Sequence, residues 1–105
     1  MPDHAPPFTI GVEEEYLLVD VDSRAVANDP PPGLFVALHD RTGGRAFPEF
    51  LRSQVEVATP VCRTISEVRT SLTELRRAVV EESARFGLAP IASASHPFSL
   101  SSKQQ

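Results

Sequence analysis

The chain has 105 residues, enough for one domain with a modest core. Its 41% hydrophobic and 23% charged residues are ordinary for a soluble globular domain, and a net charge of −4 offers no basic surface to nucleic acid or an anionic membrane. No apolar run approaches the roughly 20 residues of a membrane-spanning helix, and the single cysteine, Cys62, excludes an internal disulfide or a cysteine-based zinc site.

Residues 1–7 contain three prolines, with no basic stretch ahead of an apolar one; they read as a disordered lead-in rather than a secretory signal, and the expected setting is the reducing cytoplasm. Phe8 to Asp20 is rich in β-branched and aromatic side chains and predicts a first strand. Its second half, Tyr16 to Val19, is apolar on both faces, the pattern of a strand covered from both sides. Asp20-Val-Asp-Ser-Arg24 follows as a turn whose short polar side chains can bond nearby backbone.

Residues 25–48 are the least informative, with a rigid Pro30-Pro-Pro-Gly33 loop, a short helix over Leu34 to His39 and a turn at Thr42-Gly-Gly44. Phe50 to Thr59 predicts a second strand, ended by Pro60, which cannot donate a ladder hydrogen bond.

The clearest element is a helix from Ile65 to Phe86. Thr64 is placed to cap it, and Glu67 completes a capping box. Ile65, Val68, Leu72, Leu75 and Val79 recur in steps of three and four, giving one buried stripe. Arg77 and Glu81 are spaced to pair on the wet face, Arg76 and Arg77 read as solvating residues, and Gly87 supplies a left-handed stop. Leu88 to Ser95 predicts a third strand, running into His96-Pro97-Phe98. The result is a mixed α and β chain of about three strands and one long helix. One helix covers one sheet face, so the two-faced apolar stretch at 16–19 calls for cover from elsewhere.

The chemistry is concentrated in Gly11-Val-Glu-Glu-Glu15 and Gln54-Val-Glu-Val-Ala-Thr-Pro60. On a strand Glu13 and Glu15 share a face, about 7 Å apart, while Glu14 points the other way; Gln54 and Glu56 share a face by the same rule. If the strands are neighbours with those faces aligned, Glu13, Glu15 and Glu56 converge into a set of hard oxygen donors suited to Mg²⁺ and a nucleotide phosphate. Short acidic runs are also common at solvated strand ends, and the residues alone favour that plainer reading. His96 reads alone as a structural or exposed histidine, and Cys62 as a packed residue. No phosphate-cradling glycine loop or dinucleotide fingerprint is present, so a nucleotide site here must be of another kind.

Four motifs in order, Gly-Val-Glu-Glu-Glu-Tyr-Leu-Leu-Val-Asp, Ser-Gln-Val-Glu-Val-Ala-Thr-Pro-Val-Cys, a helix carrying Leu-Arg-Arg and a strand into Ser-His-Pro-Phe, resemble the opening of the glutamate–cysteine ligase type 2 family. The resemblance spans residues 8–105 and is poor over 25–48. It implies an α+β fold: the amino-terminal portion of a single, incomplete glutamine synthetase-like domain with a mostly antiparallel sheet. It also implies an ATP-dependent carboxylate–amine ligase that joins glutamate to cysteine, or another amine, through an acyl phosphate with Mg²⁺. Glu13, Glu15 and Glu56 then fall at metal positions, and Gln54, Thr59 and His96 are candidates for contacting nucleotide, metal or substrate; no residue is assigned a catalytic role of its own. Family members are several times longer, so the expectation is a piece that is inactive alone and needs its carboxy-terminal part or a second copy. The alternative is a non-catalytic module that associates through an open sheet edge.

Overall fold

The computed structural model describes residues 9–49 and 53–98. Its elements are β1 (Gly11–Asp20), α1 (Pro32–Thr42), β2 (Ala46–Pro48), β3 (Gln54–Ala58), α2 (Ile65–Arg85) and β4 (Leu88–Phe98). The strands form one sheet in the order β2-β3-β1-β4, and every pairing is antiparallel. The α+β class is therefore as expected, with four strands in place of about three and a second helix of 11 residues.

β2 has three residues and ends in proline, too short to leave a periodic signal. Helix α1 reaches further in both directions than Leu34 to His39. Pro32 sits where a missing N–H costs nothing, and Gly43 closes the helix at φ 64°. The predicted strand start at Phe50 lies outside the described residues; the observed strand runs Gln54–Ala58, one residue short of the expected end at Thr59, with Ser53 in a turn.

Alternation along β1 and β3 sorts the sheet into two faces. Tyr16 and Leu18 of β1 and Val55 and Val57 of β3 point to one side, where they pack with Leu34 and Leu38 of α1, Leu75 and Val79 of α2, and Leu88. Both helices thus cover the same face. The other face of the Tyr16–Val19 stretch, Leu17 and Val19, is only half-buried within this chain.

Helix α2 begins as its sequence dictates: Thr64 Oγ1 accepts from Glu67 N at 3.0 Å, and Glu67 Oε1 accepts from Thr64 N at 3.3 Å. Gly87 follows its end at φ 74°. Val68, Leu75 and Val79 are buried, whereas Ile65, at the first turn, is 56% exposed and does not join the stripe. The Arg77–Glu81 pair does not form either. Glu81 instead accepts from Arg41 of α1 at 2.6 Å, and the same guanidinium reaches Glu82 at 3.0 Å, binding the two helices together. No helix among the described residues is long and apolar enough to cross a membrane.

Candidate functional site

The acidic strands are neighbours and their faces align. Glu15 is the Cα partner of Glu56, Glu13 of Ala58 and Leu17 of Gln54, so Glu13, Glu15, Glu56 and Gln54 all lie on the sheet face away from the helices. From the opposite flank β4 sets His96 beside Glu13, and the His96 Nε2 lies 3.8 Å from Glu15 Oε2.

A further carboxylate completes the group. Glu49 N donates to Gln54 O at 3.0 Å, carrying the β2–β3 ladder one step past Pro48. Phe47 opposes Glu56, so Glu49, two residues on, shares that face. Carboxylate oxygens of Glu15, Glu49 and Glu56 lie within 4.8 Å of one another. Sequence reading missed Glu49 because its side-chain direction follows only from β2. A strand ending in Phe-Pro-Glu would have been the clue.

The cluster is electrostatically crowded. The Glu56 carboxyl is pushed up to about 8, first by a hydrogen bond shared with Glu49, then by burial, then by the charges of Glu49, Glu13 and Glu15. Three hard oxygen donors crowded within 4.8 Å of one another fit a divalent cation such as Mg²⁺. Glu13 stands beside this trio as a nearby charge.

Thr59 lies elsewhere. It continues the buried side of β3, and its Oγ1 accepts from Val12 N at 2.9 Å, which ties β3 to β1 on the helix side. Cys62 is buried, as read.

Glu14 occupies the opposite face to its two neighbours. It is 3% exposed and accepts from Arg76 Nε at 2.9 Å, Arg76 Nη2 at 2.5 Å, Ser95 Oγ at 3.1 Å and the Tyr16 hydroxyl. Arg76 therefore holds a carboxylate rather than simply solvating its helix. Its hydrogen bonds keep the Glu14 carboxyl below the ordinary range against the opposing effect of burial, with Tyr16 and Ser95 adding to them. Burial, then Glu14, raises the Tyr16 phenol.

Between Glu15 and Tyr16 the β1–β4 register shifts, because Glu15 faces Ala94 whereas Tyr16 faces Ala92. Ser93 is the extra residue, and its Oγ donates to the Glu15 carbonyl at 3.2 Å.

The sequence profile of glutamate-cysteine ligase family 2 matches residues 9–105. The chain belongs to this family. Among family relatives, each named "Putative glutamate–cysteine ligase 2", the chain is 53% identical to that of Rhodospirillum rubrum over 89% of its own length. It is 48% identical to that of a Jannaschia species over 87% of its length and 42% identical to that of Paracoccus denitrificans over 88%. The chain spans about a quarter of the length of these relatives.

Proposed function

We propose that this chain supplies the acidic sheet face of an ATP-dependent carboxylate–amine ligase of the glutamate–cysteine ligase kind. The carrying observation is the convergence of Glu15, Glu49 and Glu56 on the sheet face that the helices leave open. Family membership supports the reaction class, and the relatives' name points to glutamate and cysteine as the substrates joined.

In such a reaction a carboxylate oxygen of glutamate bonds to the γ-phosphorus of ATP while the bridging oxygen leaves with ADP. The amine nitrogen then bonds to the acyl carbon, phosphate departs and the amine loses a proton. Both reactants of the first step are anionic. Mg²⁺ bound at the trio would offset that repulsion. Glu15, Glu49 and Glu56 are the residues that would hold it, with Glu13 adding negative charge. A cation held there would favour the ionised form of the Glu56 carboxyl, which its neighbours otherwise push up to about 8. His96 and Gln54 flank the trio on the same face, which supports assigning them contacts to substrate or nucleotide.

Calorimetric titration of Mg²⁺–ATP into the whole protein tests this reading. Binding should vanish in the Glu15→Gln, Glu56→Gln double variant; undiminished binding would remove the metal assignment.

A second reading rests on β4. Among the described residues this strand of 11 residues pairs with β1 alone, on one side, and its other edge meets no described strand. Self-association through that edge should appear as a concentration-dependent dimer in sedimentation velocity, and a compact monomer at all concentrations would dismiss it.

A further inference from the structure

We infer that Arg76, acting through Glu14, is a positioning residue for the carboxylates of the opposite sheet face; this rests on the metal-binding reading above. Glu14 sits between Glu13 and Glu15 on one strand, so fixing its side chain fixes the rotation of the strand that aims both neighbours. A planar guanidinium gripping a carboxylate at two points restrains direction as well as distance. Arg76 makes that grip from α2, Ser95 adds a bond from β4 and Tyr16 one from β1 itself. The adjoining bulge works on the next residue, where Ser93 Oγ holds the Glu15 carbonyl. Glu15 is thus bracketed by two restraints, one on the preceding side chain and one on its own backbone, immediately beside the register shift. Bulges re-aim side chains in this way next to functional sites.

Charge and position make opposite predictions for the loss of Arg76. Removing a positive charge near an acidic cluster, by electrostatics alone, strengthens cation binding. Releasing Glu14, and with it the aim of Glu13 and Glu15, weakens it. Arg76→Lys keeps the charge and lacks the planar fork, which isolates the geometric contribution.

The experiment is a Mn²⁺ titration of the whole protein, followed by the electron paramagnetic resonance of free metal, on the parent, Arg76→Lys, Arg76→Gln, Ser95→Ala and Glu56→Gln. Thermal melts restrict the comparison to folded protein. The expected result is about tenfold weaker binding in Arg76→Lys, on the scale seen when partners that orient metal ligands are removed, and a smaller loss in Ser95→Ala. Binding in Arg76→Lys equal to the parent, or tighter in Arg76→Gln, overturns the positioning role. If Arg76→Gln does not fold, Arg76→Lys and Ser95→Ala decide. A parent that binds no Mn²⁺, or binds it as well with Glu56→Gln, instead overturns the metal-binding reading itself.

Discussion

The ring of Phe98 lies directly over Gly11, its Cα partner across β1 and β4, so closely that a Cβ on Gly11 would come within 2.2 Å of the ring Cζ. The contact joins the start of the acidic strand to the end of the strand that bears His96.

Gly11→Ala forces that ring aside, and overpacking of this kind costs about 1–3 kcal/mol. In a Phe98→Ala background the same substitution should cost under about 1 kcal/mol, since the methyl group then has room. Urea denaturation of the four corners of this double-mutant cycle measures the coupling; additive effects would show that the ring does not press on Gly11.

Stability should fall with rising pH through the acidic trio. The Glu56 carboxyl stands near 8 in the folded chain against an ordinary value of 4.5, so the folded state holds a proton that the unfolded state has released. Below 4.5 both states are protonated and no penalty exists. Between about 4.5 and 8 the penalty grows with pH. Denaturation of the whole protein at successive pH values should show this slope, and Glu56→Gln or saturating Mg²⁺ should flatten it. A slope identical in Glu56→Gln would assign it to other groups.

Tyr16→Phe removes a hydroxyl that donates to a buried, ionised carboxylate, and should cost about 1–3 kcal/mol at neutral pH. Glu14 has a depressed pKa, so the stability it contributes is present above the ordinary value of 4.5 and is lost as pH falls through its folded value. The cost of Tyr16→Phe should therefore shrink in acid. A pH-independent difference would mean that the hydroxyl does not act through the Glu14 charge.

At the start of α2, Thr64→Ala should cost about 1 kcal/mol, the common cost of losing a side-chain cap. Thr64→Asn, which can accept the same bond, should recover most of it in thermal melts. Equal melting temperatures for all three chains would mean the cap is not felt.

What could be read from the sequence was what repeats or caps. α2 announced itself through Thr64, Glu67 and the spacing of Val68, Leu75 and Val79, and β1 and β3 through their composition. The alternation rule also sets Glu13 and Glu15 apart from Glu14 on sequence alone. Hidden from sequence were the long-range relations. Arg76 lies 62 residues from Glu14, and Arg41 lies 40 from Glu81, so no local spacing marks either pair. Ile65 fits the helical period yet faces solvent, because a period fixes a direction around the helix and not what lies beyond its first turn. Glu49 stayed unseen for a related reason: the three-residue β2 aims it, and three residues are too few to show alternation.

The three consecutive glutamates of β1 are chemically identical, yet a shift of the strand by one residue would send two of them among the helices and leave one on the open face. Mutational tolerance should accordingly differ sharply along the triplet. At Glu14 the requirement is an acceptor for Arg76 in the interior, and at Glu15, under the metal-binding reading proposed above, it is a ligand atom at the surface. A comparison of relatives that scores Glu13-Glu14-Glu15 as one acidic motif would merge two kinds of selection, one on folding and one on chemistry, that alternate from residue to residue.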